Sequence, residues 1–260
     1  MLCGPGSVLP SGNLGRGRYV EYRILGPIEV LDDMGERVPL GGPKQRALLA
    51  ILLLRAGQLV SVDRLMDDLW GDEPPDTARN TIQVYVSQLR KIMRAAGAGA
   101  DALVTQGVGY LLAPLGDGLD LNRFMRLGNE GRESLTEGDA EVAVVRLRGA
   151  LSLWRGEPLA DFTYEPFAQS EIARLEELRL EVLENRLEAE LETGRHGEMV
   201  AELESLLRAN PHRERLVGHL MLALYRAGRQ EEALEVYRAA ADRVADSAGI
   251  DPGPDLQRLH

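Results

Sequence analysis

Residues 77–94 are TARNTIQVYVSQLRKIMR, and the apolar side chains in this stretch recur at intervals of three and four positions. Such spacing places them in one stripe along an α-helix, which turns once in 3.6 residues. The stripe consists of Ala78, Ile82, Tyr85, Val86, Leu89 and Met93. The pattern predicts a helix over residues 77–94, with Asp76 as its N-terminal cap and the stripe packed on a core.

The face opposite the stripe is polar and free of negative charge. Its members are Asn80, Val84, Ser87 and Lys91, flanked by Thr81 and Gln88 on one side and by Gln83, Arg90 and Arg94 on the other. Between Thr77 and Ala100 the chain has four basic residues and no acidic residue. Short amide and hydroxyl side chains can reach base edges in the major groove of DNA, while arginine and lysine hold phosphates. The composition is that of a DNA recognition helix, and an ordinary solvated helix face is the alternative.

Two shorter helices and a region of strands are predicted ahead of this helix. The first helix begins after Pro43 and covers residues 44–55; the second follows Ser61 as VDRLMDDLW and stops at GDEPP, residues 71–75. Further upstream, YRILGPIEVL at residues 22–31 is predicted as a strand, with a bulge or an edge position at Gly-Pro. Residues 37–40 are predicted as its partner strand.

A β-hairpin is predicted directly after the third helix. Residues 103–105 and 110–112 are apolar or β-branched, and the QGVG stretch between them supplies a glycine-containing turn. Three helices followed by a hairpin is the order of a winged helix-turn-helix, in which the hairpin is the wing.

Five long stretches in this order carry a family resemblance: LGPIEV (25–30), GGPKQRALLA (41–50), SVDRLMDDLWGDEPP (61–75), ARNTIQVYVSQLRK (78–91) and VTQGVGYLL (104–112). They resemble the winged-helix output domain of the OmpR/PhoB type, and more particularly its version in Streptomyces antibiotic regulatory proteins (SARPs). The resemblance implies that the third helix enters the major groove. Five side chains would then face the bases: Asn80, Thr81, Val84, Ser87 and Gln88.

The resemblance also implies roles for residues around that helix. Contacts to the DNA backbone would come from Lys44, Thr77, Arg79, Arg90, Lys91 and Arg94, and the wing would contribute Thr105, Gln106 and Gly107. The loop before the third helix would contact RNA polymerase through Trp70, Asp72 and Glu73; a rigid turn with Trp70 buried is the alternative. Related wings often carry an arginine where this chain has Gln106, and residues 102–116 contain no charge. Because of this departure, the wing of this chain has no arginine that could insert into the minor groove.

The second half of the chain has a different character. A repeat at an offset of 34 residues aligns Leu191-x-x-Gly194-Arg195 with Tyr225-x-x-Gly228-Arg229, and 34 residues is the period of tetratricopeptide (TPR) helix pairs. The two glycines are predicted at turns where closely approaching helices leave little room. Six helices are expected, at residues 120–136, 139–154, 165–193, 197–209, 212–227 and 230–247, with a non-helical insert at residues 154–166. This half resembles the bacterial transcriptional activator domain that follows the winged helix in SARPs, and its last residues resemble the start of that domain's closing helix.

Net charge separates the two halves. The 260 residues include 30 basic and 41 acidic side chains, for a net charge of −11, which by itself argues against a nucleic-acid partner. Residues 1–114, however, contain 12 of each sign, so residues 115–260 carry the whole excess. We therefore expect a flexible tail at residues 1–19, a winged-helix domain at residues 20–114 and an acidic, TPR-like domain at residues 119–260. The acidic domain is expected to lie away from the DNA backbone or to face a basic protein surface.

Several other classes of protein lack support in the sequence. The single cysteine, Cys3, precludes an intramolecular disulfide; no apolar run is long enough to span a membrane, and a secretory signal is not expected. Phosphate-binding and zinc-protease motifs and a nucleophile turn are absent, so no catalytic residue, metal or cofactor is predicted and an enzyme is a distant third hypothesis.

The fold class expected is an α+β winged helix-turn-helix domain followed by an all-α TPR-like domain. The function expected is activation of a secondary-metabolite gene cluster by a cytoplasmic, nucleoid-associated homodimer. It would bind direct repeats in promoter DNA and recruit RNA polymerase holoenzyme through its sigma or alpha subunits. The alternative is a TPR-like adaptor whose winged helix binds protein, and the chain could be one part of a larger regulator with ATPase and sensor domains.

Overall fold

The computed structural model describes residues 20–260, so the predicted flexible tail at residues 1–19, with Cys3, lies outside the described residues. The described chain forms two compact units. One consists of residues 20–24 and Ile28–Leu119; the other consists of Leu25–Pro27 and Asp120–His260. No helix in the described part of the chain is long and apolar enough to cross a membrane.

The first unit begins with a two-stranded antiparallel sheet. Strand β1 (Glu21–Arg23) pairs with β2 (Glu29–Leu31) so that Tyr22 lies opposite Val30. The prediction of one interrupted strand over residues 22–31 was wrong, because the chain reverses at Gly26, which has a φ of +151° that few other residues adopt. The expected partner strand at residues 37–40 is reduced to one bridge between Leu31 and Arg37.

Three helices follow: α1 (Pro43–Leu54), α2 (Val62–Trp70) and α3 (Ala78–Ala95). Pro43 occupies the first turn of α1, and the Ser61 side chain accepts a hydrogen bond from the Arg64 N–H at the start of α2, both as predicted. At α3 the cap position belongs to Thr77 and not to Asp76. The buried residues of α3 are Ala78, Ile82, Val86, Leu89 and Met93, which confirms five of the six members of the apolar stripe; Tyr85 is half-buried.

The wing belongs to a three-stranded antiparallel sheet. Strands β3 (Leu59–Ser61), β4 (Leu103–Gln106) and β5 (Gly109–Leu112) lie in the order β3-β5-β4, so the predicted hairpin is confirmed. Strand β3 was not predicted, because three residues between two helices give no alternation to detect. A Cβ on Gly109 would lie 2.2 Å from the Val60 carbonyl oxygen, so only glycine lets β5 pass β3 this closely.

The second unit is helical. Its helices are α4 (Asp120–Thr136), α5 (Ala140–Leu151), α6 (Pro166–Glu192), α7 (His196–Ala209), α8 (Glu214–Arg226), α9 (Gln230–Ala248) and α10 (Pro254–Leu259). Each predicted helix is present within about three residues of its expected ends, and the insert before α6 contains one 3₁₀ turn at Ala160–Phe162.

The repeated glycines lie at turns, but not for the reason expected. Gly194 follows α6 and Gly228 follows α8, each with a positive φ, +87° and +78°. A Cβ at either position would meet no other atom within 4 Å. Glycine is therefore favoured there by backbone conformation, and the expectation of crowded helices was wrong.

Replacement of Tyr22 by phenylalanine is expected to leave the free energy of unfolding unchanged or raise it by up to about 1 kcal/mol at pH 8. The Tyr22 side chain is 2% exposed, its hydroxyl has no partner among the described residues, and burial raises its pKa to about 12. Since an unfolded tyrosine ionises near pH 10, the wild type should lose stability between about pH 10 and 12. Tyr22→Phe should reduce this alkaline loss in urea unfolding experiments. Tyr164→Phe, at a side chain 93% exposed, is the control, and a large destabilisation by Tyr22→Phe at pH 8 would contradict the assignment.

Candidate nucleic-acid interface

The outer face of α3 presents the side chains predicted to face bases. Asn80, Val84, Ser87 and Gln88 are exposed. Thr81 is half-buried, and its hydroxyl donates to the Thr77 carbonyl oxygen at 3.0 Å. Because α3 buries its opposite side in the core, this face is held in position by the packing of the domain.

Three of the six residues predicted for the DNA backbone make contacts within the domain. Lys44 Nζ donates to the Leu69 carbonyl oxygen at 2.7 Å, near the end of α2. Arg79 pairs with the exposed Asp63 carboxylate at 2.6 Å. Arg90 reaches the wing strand β4, as described below.

The other three residues predicted for the backbone lie on or next to α3. Thr77, Lys91 and Arg94 are exposed. Lys91 lies one helical turn beyond Ser87 and Gln88, and Arg94 lies in the last turn of α3. The part of this face that follows the base-facing residues is therefore basic.

The tip of the wing is exposed and uncharged. Thr105, Gln106 and Gly107 are all exposed, and the Val108 side chain is 75% exposed. Gly107 has a φ of +54°, which the tight turn between β4 and β5 requires. Contacts from the tip are consequently limited to amide, hydroxyl and apolar groups.

The loop between α2 and α3 contains the residues expected at RNA polymerase. Trp70 is half-buried at the end of α2, whereas Asp72 and Glu73 are exposed. Gly71 has a φ of +63° and ends the helix. An acidic loop thus lies between the second and third helices.

The contact between α3 and the wing escaped sequence reasoning. Arg90 Nε donates to the Leu103 carbonyl oxygen, and Arg90 Nη2 donates to Thr105 Oγ1, both at 2.8 Å. Helical periodicity places Arg90 at the edge of the polar face but contains no information on partners in a strand 13 or 15 residues away.

No group of three or more histidine, cysteine, aspartate or glutamate side chains within residues 20–260 is arranged to hold a metal ion.

Three helices, a hairpin wing and an exposed polar face on the third helix define a winged helix-turn-helix domain, and the helix pairs after it define a TPR-like domain. Comparison with known families agrees with both. The model of the bacterial transcriptional activator domain matches residues 119–260. The model of the transcriptional regulatory protein C-terminal domain, which is the OmpR/PhoB type, matches residues 35–112.

Individual relatives have the same two domains in sequence or structure. The chain is 44% identical over 241 residues to regulatory protein AfsR of Streptomyces coelicolor, covering 92% of this chain and 24% of AfsR. It is 37% identical over 246 residues to regulatory protein DnrI of Streptomyces peucetius, covering 92% of this chain and 90% of DnrI. A structure of Mycobacterium tuberculosis EmbR in complex with a low-affinity phosphopeptide superposes with a TM-score of 0.89 at 37% identity, covering 94% of this chain and 64% of EmbR.

The chain belongs to the SARP family of transcriptional regulators. It spans about a quarter of the length of the two AfsR proteins that it matches.

Proposed function

We propose that the protein is a sequence-specific, DNA-binding activator of a secondary-metabolite gene cluster, acting in the cytoplasm at the chromosome. The observation that carries the proposal is the outer face of α3, which is exposed, polar and without a carboxylate from Thr77 to Ala100 in a chain of net charge −11. Membership of a family of transcriptional regulators supports it.

The contacts divide by chemistry. Asn80, Thr81, Val84, Ser87 and Gln88 face the bases, because short amide, hydroxyl and apolar groups match the donors, acceptors and methyl groups of the major groove. Lys44, Thr77, Arg79, Arg90, Lys91 and Arg94 contact the backbone, and Thr105, Gln106 and Gly107 of the wing approach the adjacent groove. The first set gives specificity and the second gives salt-dependent affinity.

The proposed assembly on promoter DNA is a homodimer. Two protomers occupy direct repeats about one helical turn apart, so that their winged helices lie on one side of the duplex. RNA polymerase is then recruited through the α2–α3 loop, where Trp70 provides an apolar anchor and the exposed Asp72 and Glu73 suit a basic partner surface.

A second function, a protein-binding adaptor, is favoured by one feature of the first domain. The wing has no charge over residues 102–116, and Val108 at its tip is 75% exposed. An uncharged wing with an exposed apolar side chain at its tip suits a protein surface better than a polyanion.

Selection of duplexes from a random-sequence DNA pool distinguishes the two functions. We expect the full chain to enrich sequences that contain a direct repeat, with the repeat units about one helical turn apart. Failure to enrich any motif over several rounds would contradict the proposed activator and favour the adaptor.

Thymine methyl groups provide a specific test of Val84. This side chain is 53% exposed at the centre of the polar face, and apolar side chains in the major groove contact the thymine C5 methyl. Replacing one thymine of the selected duplex by deoxyuracil is therefore expected to weaken binding about fourfold, the value of one buried methyl group. The same base change should not affect Val84→Ala, and Kd values from fluorescence anisotropy provide the measurement. Equal loss in wild type and variant at every thymine would refute the contact.

A further inference from the structure

A groove on the helical unit is lined by residues of α5, α6 and α7. Its volume is about 700 Å³, which lies within the range of about 300–1,000 Å³ that small-molecule sites occupy. Helix α6 has 27 residues, whereas α5 has 12 and α7 has 14. The two shorter helices therefore do not cover α6 along its whole length, and the groove lies on the part between them.

Leucine side chains from all three helices give the groove an apolar surface. They are partly buried and comprise Leu151 from α5, Leu180 and Leu183 from α6, and Leu206 from α7. Leu183 and Leu206 also pack against the buried core of the unit, so the surface is held in position. An apolar ligand that covers these leucines would gain about fourfold in affinity for each methylene that it buries.

A cluster of four charged side chains lies at one side of the groove. Arg148, Arg186 and Glu202 line it, and Glu190 is buried beside them. The Glu190 carboxylate accepts from Arg148 Nε at 2.7 Å and from Arg186 Nη1 at 3.0 Å. Arg186 Nη2 donates to Glu202 Oε1, and the Glu202 side chain is 45% exposed. Two guanidinium groups thus meet one buried and one exposed carboxylate.

The exposed carboxylate of this cluster is the one that a ligand can replace. Without Glu202, two arginines would share a single carboxylate, which is unfavourable because Arg186 is 8% exposed. The Arg186 Nε has no partner among the described residues, so the guanidinium keeps a free donor. Glu202 still contacts solvent and loses little when its side chain turns outward. A carboxylate from a ligand would then restore the charge balance at Arg186.

The other charged side chains of the groove have partners of their own. Arg179 lies 3.9 Å from Glu176, and Glu177 pairs with Arg213. These pairs are neutral as units and leave the Arg186 guanidinium as the charged group that selects a ligand.

We propose that this groove binds a small amphipathic carboxylate, whose apolar part lies on the leucines and whose carboxylate replaces Glu202 at Arg186. Arg186 would contact the ligand, and Glu190 is a positioning residue that acts through Arg186. Glu202 is then an internal competitor for the site. The inference goes beyond the proposed function and does not rest on it.

Octanoate is the probe, and methyl NMR spectra of the full chain give both the location of binding and the Kd. Octanoate should shift the methyl resonances of Leu180 and Leu206 in a saturable manner. Hexanoate is two methylenes shorter and should bind about 15-fold more weakly. Octylammonium has the same chain length and the opposite charge, so it should bind far more weakly than octanoate. No saturable shift with octanoate, or equal Kd values for octanoate and octylammonium, would overturn the proposal.

Two variants separate a ligand site from a purely structural ion pair. Glu202→Gln removes the competing carboxylate and keeps its volume, so it should tighten octanoate binding about fivefold. Leu180→Gln should weaken binding at least about fourfold. An unchanged or weaker affinity in Glu202→Gln would show that the Arg186–Glu202 pair is only structural and would overturn the proposal.

Each variant has a matched control on its own helix. Glu198→Gln changes an exposed carboxylate of α7 outside the groove, and Leu178→Gln changes a partly buried leucine of α6 outside the groove. Both should retain the wild-type Kd for octanoate. The dispersion of the methyl spectrum shows whether each variant is folded, and Glu202→Gln, at an exposed side chain, keeps the test decisive if a leucine variant is not.

Discussion

Replacing Asn80 and Gln88 together by alanine is expected to remove most of the preference for the duplex selected from random-sequence DNA over a scrambled duplex. The two side chains lie eight residues apart on the exposed face of α3, which is about 12 Å along a helix. An asparagine or glutamine amide can bond an adenine through both N6 and N7, and each such pair is worth about 1–3 kcal/mol of discrimination. The double variant should therefore lose about 2–6 kcal/mol of specificity, since sites this far apart usually add.

The loss is measured by fluorescence anisotropy, as the change in the ratio of the Kd values for the scrambled and the selected duplex. Affinity for scrambled DNA should remain close to wild type, because phosphate contacts are kept. Lys91→Ala should behave in the opposite way and weaken both duplexes alike. Gln58→Ala, an exposed amide before β3, is the matched control. If the double variant and Lys91→Ala behaved identically, the division into base and backbone residues would be wrong.

Replacing Glu190 by alanine is expected to destabilise the helical unit by about 3–5 kcal/mol. Glu190 is 3% exposed on α6, and its carboxylate accepts hydrogen bonds from Arg148 Nε at 2.7 Å and from Arg186 Nη1 at 3.0 and 3.2 Å. Arg186 is itself 8% exposed and also bonds Glu202. Without Glu190, the buried Arg186 guanidinium keeps only the Glu202 carboxylate as a partner. A buried charge that is not fully compensated destabilises the folded state.

Urea unfolding followed by circular dichroism tests this assignment with a control on the same helix. Glu188 is 44% exposed and pairs with Arg215 at 2.9 Å; Glu188→Ala should change the free energy of unfolding by less than about 1 kcal/mol. Glu190→Gln keeps the volume and removes the charge, so it should lie between the two. A Glu190→Ala variant as stable as Glu188→Ala would show that the buried cluster is not important for stability.

Features that repeat locally could be predicted from the sequence, and single contacts could not. The stripe of α3 repeats every three to four residues, and the wing consists of two apolar or β-branched stretches around a glycine-containing turn, so both elements were predicted close to their bounds. Strand β3 has three residues and depends on pairing with β5, about 50 positions away. Its formation is a tertiary event with no local signal.

The candidate site shows the same difference. Exposure of Asn80, Val84, Ser87 and Gln88 follows from helical periodicity and is as predicted. The bond from Lys44 to the Leu69 carbonyl and the bonds from Arg90 to β4 join residues in different elements. Periodicity shows which face such a side chain occupies but not the atom that it reaches.

The most direct test of the central claim is the salt dependence of DNA binding by the full chain, measured by anisotropy on the selected duplex and on its scrambled counterpart. The account predicts that affinity falls steeply between about 50 and 200 mM salt on both duplexes and that the selected duplex binds at least about a thousandfold more tightly throughout. Equal affinity for the two duplexes, or binding that does not change with salt, would contradict it.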